Sequence, residues 1–204
     1  TGQVRSGPAE IVASKPQIPR LGGHGSPNRG PADKRAEVPE TRERDQRSER
    51  LALLQKDGRF SNNNGSRIVS FERDHVQVAG MSPTHPFVRY AFESVRQGDR
   101  VLALGRADAP KQDGSFVVYP HGSVVEKYQV TDEGAEQFFE IGALPGGGDL
   151  VITGTLASNL SAVPTPDGVS FQSQGTELAF YKKAIAVDAA GRSTELAISY
   201  SDAV

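Results

Sequence analysis

The sequence contains no cysteine and no tryptophan. Without thiolates, the chain cannot form disulfides, thiolate metal sites or a cysteine nucleophile. The absence of tryptophan removes the large aromatic ring that sugar-handling surfaces use heavily for stacking. No apolar run approaches the roughly 20 residues that a membrane-spanning helix needs, so the sequence predicts no membrane span.

Aromatic residues are also missing from the N-terminal part of the chain. All nine Phe and five Tyr lie at or after Phe60. A core therefore has to be built from roughly residues 60–204, about the usual size of a single domain. The net charge of −2 differs from the strongly basic balance of nucleic-acid binders, so no nucleic-acid partner is predicted.

Residues 1–36 are rich in Gly, Pro, Ser and charged residues, with no sustained apolar period. This composition predicts an extended polar arm, which cannot bury enough apolar surface to order itself alone. We expect the arm to lie on partner protein subunits or on the body of its own chain. Its predicted partner-binding anchors are the five branched apolar residues Val4, Ile11, Val12, Ile18 and Leu21.

Residues 37–58 predict one short charged helix that links the arm to the rest of the chain. Acidic residues crowd its start, Glu43 and Arg47 form a favourable i,i+4 pair, and Gly58 follows as a stop signal. Three leucines near its end (Leu51, Leu53 and Leu54) are its large apolar residues. We expect this helix to pack by its C-terminal turns only.

From Phe60 onward, short runs rich in Val, Ile, Phe, Tyr and Thr recur between turn signals. Val124–Val130 alternates cleanly, with Val124, Glu126, Tyr128 and Val130 on one face. Asp113-Gly114 and Asp167-Gly168 suit tight hairpin turns. The sequence therefore predicts an all-β fold, an antiparallel β-sandwich from Phe60 to Val204 within a domain of residues 59–204. We expect its inner faces to include Phe71, Val101, Leu104, Val118, Tyr128, Phe138, Val151, Phe171, Phe180, Ile185 and Ile198.

Several elements of this β-rich part also match a pattern found elsewhere. The most specific are Gly134-Ala135-Glu136-Gln137-Phe138-Phe139 and Asp188-Ala189-Ala190-Gly191-Arg192. With the Asn62–Asn64 start and the Tyr128 strand, this order resembles a β-rich module of large exported proteins of myxobacteria and planctomycetes. That module often precedes propeller-type repeats. The resemblance implies export and a structural role, and it implies no site residue.

Histidines offer no catalytic or zinc-binding spacing, because His24, His75, His85 and His121 are widely scattered. We interpret the three that lie in turn-like contexts, His24, His85 and His121, as solvated loop residues. The motif G-x-S-x-G is absent, which argues against a serine hydrolase of that type. No EF-hand calcium loop is present either.

A carboxylate cluster is the remaining candidate for chemistry, and it comprises Asp132, Glu133, Glu136 and Glu140. Paired carboxylates could hydrolyse a glycosidic bond at suitable separations. Hydrogen bonding of Glu136 and Gln137 to backbone groups in a turn or cross-strand network is the favoured interpretation. We therefore predict no enzyme, no catalytic residue, no metal site and no cofactor.

Three functional hypotheses remain at this level. The leading one is an exported bacterial structural protein, outside the cell or on its surface, whose arm tethers it to neighbouring protein subunits. The second is a processed accessory or pro-region of a larger secreted protein, because we expect a precursor longer than Thr1–Val204. The third is a carbohydrate-binding module, which a tyrosine-lined pocket would favour.

Overall fold

A computed structural model describes residues 5–13, 51–81, 85–105, 108–142, 144 and 147–201, the first range as backbone only. Every regular element in these ranges is a β-strand, and every strand pair is antiparallel. The predicted all-β antiparallel fold is confirmed. These ranges contain no helix, and so none long and apolar enough to cross a membrane.

Eighteen strands are defined in chain order. The first nine are β1 (Arg5–Ala13), β2 (Leu54–Lys56), β3 (Arg59–Asn63), β4 (Arg67–Phe71), β5 (Val76–Gly80), β6 (Phe87–Gln97), β7 (Arg100–Leu104), β8 (Lys111–Asp113) and β9 (Phe116–His121). The other nine are β10 (Val124–Thr131), β11 (Gly134–Ile141), β12 (Leu150–Ser158), β13 (Ser161–Thr165), β14 (Gly168–Ser173), β15 (Thr176–Lys182), β16 (Ile185–Val187), β17 (Ser193–Glu195) and β18 (Ala197–Tyr200).

The strands form one large sheet and three small ones. The nine-stranded sheet has the order β18-β1-β12-β6-β5-β4-β3-β2, and β7 also pairs with β6. The four-stranded sheet is β11-β10-β9-β8, the three-stranded sheet is β13-β14-β15, and β16 pairs with β17. Most neighbours are consecutive hairpins, whereas β1 and β12 join the large sheet from distant parts of the chain.

Two clusters of buried side chains connect these sheets. One joins Phe71 and Val69 of the large sheet to Val117 and Tyr128 of the four-stranded sheet. The other cluster draws its buried residues from both of those sheets and from β14, and it includes Val95, Val124, Ile152, Leu156 and Phe171. Burial alternates strictly along β10 and along most of β12, as half-buried strands require.

The turn signals read from the sequence are confirmed. Asp113-Gly114 connects β8 to β9, and Asp167-Gly168 connects β13 to β14. Gly168 has a φ of 142°, and a Cβ at this position would lie 2.0 Å from the Tyr181 carbonyl oxygen. Only glycine fits a backbone approach of this kind.

The predicted charged helix is not supported. Residues 37–50 of it lie outside the described residues, and Leu54–Lys56 at its other end form strand β2. Asp57 and Gly58 both have positive φ, at 52° and 75°. Two positive φ values at an Asp-Gly pair are typical of a tight hairpin, so Gly58 turns a β-hairpin where the sequence predicted a helix stop.

Part of the predicted arm (residues 1–36) falls within the described residues. Arg5–Ala13 form β1, which pairs with β12 and β18 of the same chain. In these nine residues, the arm lies on the body of its own chain, which is one of the two holders that the sequence predicted. The remaining arm positions, 1–4 and 14–36, lie outside the described residues.

The predicted inner faces are confirmed in some strands and inverted in others. Phe71, Tyr128 and Phe171 are buried as predicted. Four residues expected inside are exposed: Val101, Leu104, Phe138 and Ile185. Four more are half-buried: Val118, Val151, Phe180 and Ile198. The error in Phe138 follows from strand alternation, because β11 places it in phase with the exposed Glu136 and Glu140.

Candidate functional site

The N-terminal strand β1 lies inside the large sheet, between β12 and β18. All nine of its residues pair with β12, from Arg5 opposite Ser158 to Ala13 opposite Leu150. On the other side, Ala9–Val12 pair with β18, where Ile11 is in register with Ile198. Pro8 lacks an N–H group and lies just before this stretch, so it removes no hydrogen bond from β18.

The position of β18 depends on β1. Among the described strands, β18 pairs with β1 alone, and β12 pairs with β1 on one side and with β6 on the other. Without β1, both β12 and β18 would expose rows of unpaired backbone N–H and C=O groups. Such edges are templates for pairing with another chain. We refer to the space between β12 and β18 as the β1 slot.

Two of the five predicted anchors fall within this element. Ile11 lies in register with Ile152 and Ile198, and Val12 lies in register with Val151 and Ala197. Val4, Ile18 and Leu21 lie outside the described residues. The sequence singled out Ile11 and Val12 by their apolar character, but it did not reveal the strands that pair with them.

A buried polar cluster around Glu126 was not foreseen. This glutamate is 3 % exposed on β10. Its carboxylate accepts hydrogen bonds from His121 Nε2 at 2.9 Å, from Tyr128 Oη at 2.5 Å and from Gln137 Nε2 at 2.7 Å. Tyr181 Oη donates to Gln137 Oε1 at 2.6 Å. These bonds join β9, β10, β11 and β15 through one carboxylate.

The tyrosines around this cluster are held neutral. Burial, and then the negative charge of Glu126, raise the pKa of Tyr119, Tyr128 and Tyr181 well above the usual value near 10. Burial also raises the pKa of Tyr90, followed by the effect of the neighbouring Tyr181. Each hydroxyl can therefore donate a hydrogen bond but cannot ionise at ordinary pH.

A cavity of about 20 Å³ lies beside the cluster, between Glu126, His121, Tyr119 and Tyr90. Two buried polar atoms, His121 Nδ1 and Tyr90 Oη, make no hydrogen bond of ordinary geometry. A volume of this size accommodates one water molecule, and a larger ligand would not fit. The three donors to the Glu126 carboxylate and the small cavity favour a structural role for the cluster.

A much wider cleft opens between the large sheet and the small ones, with a volume of about 2200 Å³. Several of its lining residues are exposed large apolar side chains: Phe138, Leu144, Leu178, Ile185 and Val187. Tyr90 and Tyr181 also line it and stack with ring centroids 6.0 Å apart. Polar groups at the floor of an apolar cleft are the usual arrangement of a ligand site.

The carboxylates considered for glycoside hydrolysis are held in surface ion pairs or lie exposed. Glu140 Oε1 lies 2.6 Å from Lys127 Nζ, and Glu133 Oε2 lies 3.1 Å from Lys182 Nζ. Glu136 is exposed, and its neighbour Gln137 belongs to the buried cluster. The predicted bonding to backbone groups differs from what the structure has for Gln137, whose side chain bonds to the side chains of Glu126, Tyr128 and Tyr181.

The histidine predictions are wrong in one case. His121 was interpreted as a solvated loop residue but is 7 % exposed, and its ring lies 4.1 Å from that of Phe92. The strand β9 places it in phase with the buried Val117 and Tyr119. In the described part of the chain, no three His, Asp or Glu side chains are grouped to hold a metal ion.

Comparison with known proteins adds no relative: no family model, curated protein or solved structure matches this chain.

Proposed function

We propose that this chain is an exported bacterial structural protein whose N-terminal segment joins it to neighbouring protein subunits outside the cell or on its surface. The observation that carries the proposal is β1. The first described strand pairs on both sides within the large sheet, and residues 14–50 lie between it and the next described segment of the chain. A strand on a long connection can pair with its own chain or with another.

Strand addition suits an assembly protein for physical reasons. Main-chain hydrogen bonds supply affinity, and the register of alternate residues supplies specificity. A connection such as residues 14–50 spans at most about 130 Å when fully extended, which is several times the width of a small domain. Its length therefore leaves a neighbouring subunit within reach.

A β-sandwich body is part of the proposal. The two core clusters combine side chains from the large sheet with side chains from the smaller sheets. Burial of a sheet face against a second sheet is the packing that defines a sandwich. Export is supported by the resemblance of the segments 134–139 and 188–192 to exported bacterial modules.

The assembly role is tested by removing residues 1–13 and measuring molar mass by light scattering across protein concentration. We expect the mass of the full chain to rise with concentration, and that of the truncated chain to stay monomeric once a peptide of residues 1–13 fills the edges that the deletion exposes. The truncated chain should also melt earlier, because β12 and β18 lose their pairing partner.

A synthetic peptide of residues 1–13 provides the matched control. Added during refolding, it should fill the β1 slot and restore the melting temperature. It should not restore assembly, because it lacks the connection to a second body. Concentration-dependent assembly that persists unchanged in the truncated chain would overturn the proposed function.

A carbohydrate-binding module is the second candidate, and the tyrosine-lined cleft favours it. Stacked tyrosine rings can support a sugar face, and the Gln137 amide lies beside the Tyr181 hydroxyl. Calorimetric titration with a panel of oligosaccharides tests this candidate. The candidate is supported if Tyr181→Ala loses binding while Thr176→Ala, at an exposed position on the same strand, keeps it. The absence of binding across the panel would reject it.

A further inference from the structure

We infer that the neighbouring subunit is a second copy of this chain, and that the β1 strand of one copy fills the β1 slot of the next. This inference rests on the proposed function and adds to it the identity of the partner and the site of contact. The slot is bounded by β12 (Leu150–Ser158) and β18 (Ala197–Tyr200).

The pairing partners of β1 are the first observation. Arg5–Ala13 pair with residues 150–158 and 197–200, all near the other end of the sequence. No described strand next to β1 in sequence pairs with it, since β2 and β3 lie at the opposite edge of the large sheet. Because no described strand close in sequence holds β1, we treat it as a strand that leaves and enters the sheet as one unit.

The identity of the occupant follows from the match between strand and slot. The sequence seen to fill all nine register positions on β12 and four on β18 is that of this chain. Exchange between copies preserves every one of these backbone pairs and changes only the course of the connection. Exchange of an identical element is a low-cost route to association for this reason.

The geometry of exchange also determines whether the assembly is a closed dimer or an open filament. Each copy carries one donor strand and one slot, at two different places on the molecule. Reciprocal exchange between two copies closes a dimer, whereas donation to a third copy continues a chain of subunits. A head-to-tail contact of this kind produces a filament when its rotation does not close.

Protein concentration decides whether β1 fills the slot of its own chain, in a closed monomer, or the slot of another copy, in an exchanged form. A strand tethered to its own slot competes at an effective concentration of up to about 1 mM. At micromolar concentration the closed monomer is therefore favoured by up to about 10³-fold. Exchange becomes the main form when subunits are crowded near the millimolar range or when they fold together at high concentration.

The absence of cysteine makes a direct cross-linking test possible. Glu10 and Thr153 are register partners on β1 and β12. Opposed Cα atoms in antiparallel strands lie about 4.5–5.5 Å apart, within the range that a disulfide spans. We would prepare Glu10→Cys and Thr153→Cys as separate chains, refold them together at high concentration and then oxidise them.

The expected result is an interchain disulfide between positions 10 and 153, identified by peptide mass spectrometry. Its yield should rise at least tenfold between micromolar and near-millimolar co-refolding. A chain carrying Glu10→Cys together with one carrying Thr176→Cys is the control for random collision. Thr176 is exposed on β15 and outside the large sheet, so this pair should give only background.

The outcomes separate this inference from the proposed function. The double variant Glu10→Cys/Thr153→Cys on one chain reports on the closed form. If it forms an intrachain disulfide while the mixed single variants give only background, the second-copy inference is wrong. The assembly role then survives only if deleting residues 1–13 still abolishes concentration-dependent mass. If that deletion has no effect on assembly either, both proposals fail.

Discussion

Raising the pH above 10 should unfold this protein through its buried tyrosines. Tyr90, Tyr119 and Tyr128 are at most 7 % exposed, and burial raises the pKa of each. A tyrosine whose pKa is higher in the folded than in the unfolded protein contributes its full stabilisation below the unfolded value of about 10. That contribution is lost as the pH rises above this value. The acid-base chemistry of the fold therefore predicts alkaline denaturation.

The size of the effect follows from proton linkage. Each tyrosine that stays protonated in the folded state lowers the free energy of unfolding by about 1.4 kcal/mol per pH unit above 10. With Tyr181, whose pKa is also raised by burial, four such residues give about 5–6 kcal/mol per pH unit. Because a domain of this kind is stable by about 5–15 kcal/mol, we expect unfolding between about pH 11 and pH 13.

Ultraviolet absorbance of tyrosinate and far-ultraviolet circular dichroism would be recorded on the same titration. We expect the four tyrosines with raised pKa values to ionise in one cooperative step that coincides with the loss of β-sheet signal. Tyr119→Phe keeps the ring and removes one titrating group, so the pH dependence of stability should fall by about a quarter. All tyrosines ionising near pH 10 with the β-sheet signal intact would refute the reasoning.

Three further predictions concern stability, each measured by denaturant unfolding against a matched control. Glu126→Ala removes the acceptor of three hydrogen bonds and should lower the free energy of unfolding by about 3–5 kcal/mol. Its control, Glu140→Ala at an exposed ion pair, should lower it by less than about 1 kcal/mol, and equal losses would contradict the role of the buried cluster. Phe71→Ala at a fully buried position should lower the free energy of unfolding by about 3–5 kcal/mol, and Phe138→Ala at an exposed position should lower it much less. The reverse order would mean that the buried faces of β4 and β11 are misassigned. Gly154→Ala brings a Cβ to 2.4 Å from the Tyr90 ring and should lower the free energy of unfolding by about 1–3 kcal/mol. Its control, Gly147→Ala, places a Cβ with no atom within 4 Å and should leave stability unchanged, and an equally unchanged Gly154→Ala would show that Tyr90 can move aside.

Local patterns predicted much of the β region. Alternation along Val124–Val130 gave both the strand and its buried face, and Asp-Gly pairs gave hairpin turns. The same alternation placed Glu126 on the buried face with Val124 and Tyr128. A charged residue in phase with buried neighbours is therefore the sequence signal of the polar cluster. Its partners on β9, β11 and β15 depend on sheet packing, which alternation does not specify.

Two errors have a common physical origin. Asp57-Gly58 is a hairpin signal, but the charged residues before it fitted a helix, and propensity is a weak prior that tertiary pairing overrides. Arg5–Ala13 contain few large apolar residues and a proline, so nothing local marks them as a strand. Their order in the sheet comes from partners at residues 150–158 and 197–200, and pairing over such a distance leaves no local pattern.

The position of β1 also fixes an order of events during synthesis. The strand leaves the ribosome before every other described strand, yet its partner β12 follows only at residues 150–158 and β18 only at residues 197–200. At about 5–20 residues per second, the final partner is made roughly 10–40 s after β1. Until residue 158 has been made, no described strand that pairs with β1 is complete on the nascent chain, and for about 40 further residues only β12 is available. On a polysome, where several copies emerge side by side, the proposed exchange would therefore let β1 meet the β12 strand of a neighbouring chain before its own is made.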